Sequence, residues 1–461
     1  MWQTSSEALE RFEVEANLRD LGPAAETAPV QQDKAAAAFD WQNCWYPVTF
    51  VEDLPRDKPV AISLYDEGLV LYVDGNSQIV CLSDRCAHRA ARLSDGRIVD
   101  GRIECLYHGW QYAATGECVH IPQLAVNLRI PPKACVRSYP VVVRQGLVWI
   151  WAGDPARADE SLIPATPKVD DPAVTTVDFQ TDLPYDQSYL IENVIDVAHI
   201  HIAHDGMRGG GLRAAAKPLE FEVTDSSVTG IQGAYKTMGM PESSILKRAR
   251  VEYVAPNLIR YTSEYRDEAL IAGLDLYSLP MGRGRCRLLY RKYSNFTSWR
   301  ERVKPRWLEH WTQCTILEQD MGVVIGQHEH IERAKGRLGD LWCPIRSSDQ
   351  LVIEYRKWLD RFGSNLPFYR GYESAKQGAS DPFATRPVAS RYSLHTRVCR
   401  TCSRLYRRIH SIRIGLWTAV ALLTAAAIVS AGGWPSYAAV GLGLLALAGI
   451  AWLDRVKTRF E

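Results

Sequence analysis

Cys86-Ala87-His88 and Cys105-Leu106-Tyr107-His108 form two short pincers, each with one Cys and one His, separated by sixteen residues. Whatever fold holds this segment must set two loops side by side, joined through the strands between them. Two Cys on one iron and two His on the other is a mixed ligand set for a [2Fe–2S] centre. Neutral imidazole in place of thiolate removes negative charge and raises the reduction potential. A structural zinc site takes the same ligand types, but zinc modules pair Cys with Cys at one end and His with His at the other. The flanks add Arg89, Leu93-Ser94-x-Gly96, Gly109-Trp110, Gly116 and Ile121-Pro122. The segment is therefore read as a Rieske-type cluster site with Cys86, His88, Cys105 and His108 as ligands.

Around it the chain alternates as short strands. Pro59–Leu64 and Leu69–Val73 flank a turn at Asp66-Glu67-Gly68, and Val141–Val143 and Leu147–Trp151 close the unit. This pattern predicts a small antiparallel barrel or sandwich with the pincers on loops at one end. Pro and Ala punctuate 155–167, a domain boundary. Beyond it, Gln187–Asp205 is helical in tone and Gly206–Lys217 is a Gly/Arg-rich loop. Strands alternate from Phe221 to Tyr293. Helices are expected over Trp307–Ala334 and Ser348–Phe362, the latter with Leu351, Tyr355, Trp358, Leu359 and Phe362 on one face. The fold class is α+β: an antiparallel sheet gripped by long helices follows the strand-rich unit.

The 461 residues suffice for two or three domains. A net charge of +1 gives no case for a nucleic-acid partner. Seven acids between Glu7 and Asp33 suit neither a signal nor a transit peptide. The eleven Cys are accordingly read as reduced, cluster-binding or buried. Ser5–Leu18 fits an amphipathic helix and Thr27–Ala38 a linker. The expected division is 1–38 extension, 39–155 cluster domain, 156–390 catalytic domain, 391–413 basic linker, 414–453 membrane hairpin and 454–461 basic tail.

A second ligand set lies in Glu192-Asn193-Val194-Ile195-Asp196-Val197-Ala198-His199-Ile200-His201-Ile202-Ala203-His204. A mononuclear non-haem iron takes two His and one carboxylate on one face and leaves positions open. His199 and His204 could supply the pair, with His201 as competitor. Asp196, one turn before His199, could orient that ring through its other nitrogen. The carboxylate must come from a distant segment. Glu318 and Asp320 are the candidates, and the shorter arm of Asp320 suits a compact site. A cluster that shuttles single electrons needs an acceptor, which favours an iron site in the same chain.

The tail holds two apolar runs, Ile414–Ala431 and Ser436–Leu453, eighteen residues each, near the minimum to span a bilayer. Gly432-Gly433-Trp434-Pro435 turns between them. Arg391, Arg397, Arg400, Arg404, Arg407, Arg408 and Arg413 precede the first run, and Arg455, Lys457 and Arg459 follow the second. Both ends should face the cytoplasm or stroma. Cys399-x-x-Cys402 also fits half of a zinc site, with no second half evident in the sequence.

Cys86-x-His88-Arg89 with Cys105-x2-His108-Gly109-Trp110, followed by Asn193-x2-Asp196-x2-His199-x4-His204, resembles the catalytic subunit of Rieske non-haem iron oxygenases over residues 39–362. The late Cys-x-x-Cys and the apolar hairpin are similar to the pheophorbide a oxygenase group. The resemblance implies His199, His204 and Asp320 (in the setting Asp320-x6-Gln327) as ligands of iron(II), and Asn193 as a near-iron residue. It implies Asp196 as a carboxylate bridging a cluster His of one subunit to an iron His of the next, hence a homotrimer. It further implies a ferredoxin-like electron donor, O2, a chlorophyll-derived tetrapyrrole substrate, and a thioredoxin-controlled switch at Cys399 and Cys402. The acidic N-terminus departs from plastid-targeted members and suggests a bacterial, cyanobacterial-like chain or a mature one. A membrane-bound redox component or sensor, or an oxygenase of a sterol or other aromatic lipid, is the alternative.

Overall fold

The computed structural model describes residues 38–207, 211–376, 390–430 and 432–461. The helix expected at 5–18 and nearly all of the 27–38 linker lie outside them. In chain order the first unit comprises β1 (Trp45–Phe50), β2 (Val60–Leu64), β3 (Glu67–Val73), β4 (Ile79–Ser83), β5 (Arg97–Val99), β6 (Arg102–Glu104), β7 (Gln111–Tyr112), β8 (Cys118–His120), β9 (Ser138–Tyr139), β10 (Val141–Arg144) and β11 (Leu147–Trp151). They form three antiparallel sheets, β2-β3-β4-β9, β5-β6-β7-β8 and β1-β11-β10. The β2–β3 hairpin closes on two residues, Tyr65 and Asp66, at φ 48° and 68°, the left-handed conformation a tight hairpin turn requires.

Successive side chains of β3 point to opposite faces, and both faces are buried. Val70 and Tyr72 pack with Cys86, Leu93, Cys105 and Tyr112 beneath the pincers. Leu69 and Leu71 pack with Trp149 and Trp151, and through them with Tyr277, Leu279 and Leu289 of the second unit. One continuous apolar layer therefore seats the cluster unit on the back of the large sheet.

That sheet contains β12 (Thr175–Leu183), β13 (Leu219–Ser227), β14 (Gly230–Thr237), β15 (Leu246–Val254), β16 (Leu258–Tyr265), β17 (Ala272–Gly282) and β18 (Arg285–Ser294). Its order is β12-β18-β17-β16-β15-β14-β13, antiparallel throughout. Asp178 and Asp182 of β12 stand opposite Arg291 and Arg287 of β18, with ion pairs of 2.7 and 2.6 Å. Such cross-strand pairs fix register. Arg287 also donates to the Val48 carbonyl at 3.1 Å, tying the sheet to β1.

The other face of the sheet is gripped by α1 (Gln187–Ile195), α2 (Ile200–Ala203), α3 (Arg306–Ala334) and α4 (Gln350–Phe362). Leu351, Tyr355, Trp358 and Leu359 of α4 are buried there, with Phe362 packed at the edge. Two expectations are corrected. Gln187–Asp205 is not one helix: Asp196 is extended, and its Oδ1 accepts the Ala198 N–H at 2.8 Å, which ends α1 and re-aims the chain into α2. Nor is 391–413 a plain linker. Tyr392–Thr396 makes a wide helical turn, and α5 (Arg400–Val429) begins well before the apolar run.

α5 and α6 (Trp434–Lys457) form an antiparallel hairpin, both long and apolar enough to cross a membrane. Leu422, Ile428 and Leu445 are exposed along it. Trp434 and Tyr437 are exposed at its tip, and Trp417 and Trp452 toward its base. Aromatic residues at both levels suit the two interfaces of a bilayer. At the base, Arg413 Nε meets Asp454 Oδ1 at 2.6 Å.

Candidate metal centres

Each pincer is a tight loop closed by its own backbone. Ala90 N–H reaches the Cys86 carbonyl at 3.0 Å, and Gly109 N–H the Cys105 carbonyl at 2.9 Å. Gly109 sits at φ +73°, and a Cβ there would come within 2.9 Å of Pro122, so only glycine suits the second loop. The loops sort their ligands by type. Cys86 and Cys105 are buried side by side. Burial, and then the Cys86 sulfur beside it, push the Cys105 thiol above its ordinary value. The rings of His88 and His108 meet edge to face, 4.5 Å apart, and His88 stacks on Trp110 at 4.6 Å with planes 5° apart. A sulfur pair inside and an imidazole pair toward solvent could hold a two-iron centre with unlike ends. Tyr112 Oη takes the Ala87 N–H at 3.0 Å and lies 3.1 Å from Cys86 Sγ, placed to donate to a thiolate. Trp110 and Tyr112 are contributions that ligand spacing alone does not reveal.

The break at Asp196 positions the second centre. His199 stands at the start of α2 and His204 at its end, and α3 brings Asp320 between them. Asp320 Oδ2 is 3.3 Å from His204 Nε2, and its Oδ1 is 3.9 Å from His199 Nε2. His204 Nδ1 is engaged by Gln319 Oε1 at 3.0 Å, which leaves the Nε2 lone pair for a metal. Asp320 is buried, whereas Glu318 faces outward to Arg391. His201 turns away, its Nδ1 accepting the Leu212 N–H at 3.3 Å. Asp196 Oδ2 is 3.6 Å from His199 Nδ1, a charge contact longer than a hydrogen bond.

The Asp320 carboxylate raises the His204 imidazole above its ordinary value, against burial. Burial opposes charge on His199 too, but Asp196 and then Asp320 outweigh it and raise it. A pocket that favours a proton on either ring favours a cation among all three groups. Two His and one carboxylate on one side fit a non-haem iron(II) site. The open side gives onto a cleft of about 450 Å³ walled by Val323, Val324, Trp342 and Val352, with Asn193 and Gln327 at its polar edge.

The remaining expected pair, Cys399 and Cys402, is fully buried far along the chain from both sites. Around it the fold gathers His310 and His395, neither of which sequence reasoning singled out. His395 stands in a local spacing, His395-x3-Cys399-x2-Cys402, whereas His310 joins the group only through tertiary packing.

Comparison with known proteins matches residues 44–140 to the Rieske [2Fe-2S] domain family and residues 253–337 to the pheophorbide a oxygenase family. The chain is 34% identical to Protein TIC 55, chloroplastic, of Arabidopsis thaliana, over 90% of this chain and 81% of that one. It is 32% identical to pheophorbide a oxygenase, chloroplastic, of Oryza sativa, over 88% and 82%. Among solved structures, dicamba monooxygenase bound to dicamba superposes with a TM-score of 0.58 at 26% identity, covering 70% of this chain and 98% of that one. The expectation of a bacterial, cyanobacterial-like source is corrected. These curated relatives are chloroplast proteins of plants, which points to a plastid setting. An acid-rich first segment reports only its own composition, not the source of the chain.

Proposed function

This chain belongs to the pheophorbide a oxygenase-like group of Rieske non-haem iron oxygenases, and on that premise we propose that it is a monooxygenase of a chlorophyll-derived tetrapyrrole. The observation that carries the reading is the convergence of His199, His204 and Asp320 at the mouth of an apolar cleft. In this reading Cys86 and Cys105 hold one iron of a [2Fe–2S] cluster and His88 and His108 the other. His199, His204 and Asp320 hold a mononuclear iron(II). When bound, the cluster supplies single electrons from a ferredoxin-like donor and the iron supplies the oxygen chemistry.

The chain's own residues do the rest. Gln319 fixes the His204 tautomer, and Asp196 stands beside the outer nitrogen of His199. Val324, Trp342 and Val352 wall the cleft and would face a flat hydrophobic ring, with Val323 exposed at its rim and Asn193 offering polar contact at the edge. The hairpin holds the cleft near a plastid membrane, where such rings dissolve. His88 is exposed and Asp196 is part-exposed, so a neighbouring subunit could set one chain's His88 edge against the next chain's Asp196. A ring-shaped trimer satisfies both.

A single-turnover assay tests this. Detergent-solubilised protein is reduced, given heavy-isotope dioxygen, and offered pheophorbide, chlorophyllide, protochlorophyllide and phyllobilins. The expected product carries one labelled oxygen atom and is absent with Asp320→Ala. Unlabelled tetrapyrroles from protein with full cluster and iron would overturn the substrate assignment.

A further inference from the structure

His310 lies on α3, His395 on the wide turn Tyr392–Thr396, and Cys399 and Cys402 at the start of α5. Their side chains are 2% exposed or less. One donor atom from each lies within 4.8 Å of every other. Nitrogen and sulfur approach one another three times: Cys399 Sγ to His310 Nδ1 at 3.3 Å, Cys402 Sγ to His310 Nδ1 at 3.6 Å, and Cys402 Sγ to His395 Nε2 at 3.2 Å. A tetrahedral zinc ion with Zn–S of about 2.3 Å and Zn–N of about 2.05 Å puts N and S about 3.5 Å apart. The cage has the size of one such ion.

The outer nitrogens of both imidazoles point the same way. His310 Nε2 meets the Asp178 carbonyl at 2.9 Å, and His395 Nδ1 meets the Gln180 carbonyl at 2.7 Å. A carbonyl only accepts, so each of these nitrogens carries the proton. His310 Nδ1 and His395 Nε2 are then bare lone pairs, and both are the atoms facing the sulfurs. Metal-bound imidazoles are held in this manner by a hydrogen bond at the second nitrogen. Both carbonyls belong to β12, two residues apart on one side of the strand, so the edge strand of the large sheet orients the pair.

We propose that His310, His395, Cys399 and Cys402 form a closed structural zinc site that fastens the membrane hairpin to the oxygenase domain. Mixed sulfur and nitrogen ligation in a tetrahedral cage selects zinc, and four protein ligands leave no open position. Binding converts two thiols to thiolates and releases their protons, so the ion's two positive charges are neutralised in a dry site. The arrangement differs from the pincers of Cys86–His108, where sulfurs and imidazoles segregate into two pairs as a two-iron centre needs. The site joins α3, the wide turn and α5, beside the Arg391–Glu318 ion pair and the Arg306–Thr401 hydrogen bond. It also gives the Cys-x-x-Cys pair a role that requires no access for a redox partner. The proposal is independent of how the His199 site is used.

The test uses untagged full-length protein in detergent. Elemental analysis should find about one zinc per chain beside the iron, and zinc-edge X-ray absorption should resolve two sulfur and two nitrogen neighbours. The Cys399→Ser/Cys402→Ser variant should lose the zinc while the electron paramagnetic resonance signal of the reduced cluster persists. Should that variant fail to accumulate, the wild-type absorption spectrum alone decides. Zinc at background with both thiols free, a Cys399–Cys402 disulfide in the isolated protein, or zinc ligated by oxygen would each overturn the proposal.

Discussion

Gln327 on α3 donates its side-chain N–H to Glu192 on α1 at 2.6 Å, joining the helix that carries Asp320 to the helix that leads into His199. The second oxygen of Glu192 takes Arg356 Nε of α4 at 2.6 Å. Arg356 is fully buried. Three helices thus meet on one carboxylate, and the relative placement of His199 and Asp320 depends on that meeting.

Arg356→Met strands the buried Glu192 charge and should cost about 3–5 kcal/mol, read as a lowered urea midpoint by tryptophan fluorescence. Gln327→Leu removes a hydrogen bond to a charged group and should cost about 1.5–3 kcal/mol. An unchanged midpoint in the Arg356 variant would show that the three-helix junction is not a stability determinant.

Asp320→Ala should lose roughly one iron atom per chain while the reduced-cluster signal stays intact. Asp196→Asn should keep all its iron yet slow reoxidation of the reduced cluster about 10–100-fold, measured by stopped-flow absorbance with oxygen and substrate. Reoxidation at the wild-type rate would remove Asp196 from the electron path.

Tyr112 is placed to donate to Cys86 Sγ, and that bond strengthens as the cluster gains an electron. With a hydrogen bond worth about 1 kcal/mol, Tyr112→Phe should lower the one-electron potential by about 40 mV. A redox titration followed by paramagnetic resonance measures it, and an unshifted or higher potential contradicts the assigned donor.

Asp186 is raised by burial to about 6 from 3.8. An acid whose native value exceeds its unfolded one binds its proton more tightly when folded. Its contribution is therefore full below pH 3.8 and fades as pH rises to about 6. Asp186→Asn keeps an acceptor for the Gly284 N–H. Relative to wild type it should gain about 2 kcal/mol between about pH 4 and pH 8. Urea midpoints across that range check the slope, and a flat difference refutes it.

The pincers are legible in the sequence because their spacing is local, whereas among His199, His201 and His204 spacing leaves the pair open and only the family resemblance selects His199 and His204. Asp320 is not local. Its choice over Glu318 rested on arm length, whereas the fold decides by direction: one acid turns inward to the imidazoles and the other outward to Arg391. The break after Ile195 was hidden because apolar periodicity continues through it, and only the turn made by the Asp196 side chain interrupts the helix. His310 and His395 lie 85 residues apart and converge on Cys399 and Cys402 through β12 carbonyls. His395-x3-Cys399-x2-Cys402 is a local spacing, but the fourth member, His310, is brought in by the fold and leaves no mark in it.

Arg413 precedes the apolar stretch of one hairpin leg and Asp454 follows that of the other, and their ion pair holds both legs at one level. Each leg offers eighteen largely apolar residues, about 27 Å at 1.5 Å per residue, against a hydrocarbon thickness of about 30 Å. Tilting would only shorten that reach. Were the hairpin to span such a bilayer, the shortfall would be met by local thinning of the lipid or by snorkelling of flanking residues such as Arg413, at a cost for each ångström. A hairpin of this length that crosses a membrane would favour thin bilayer, and membrane thickness would then sort the protein among membranes.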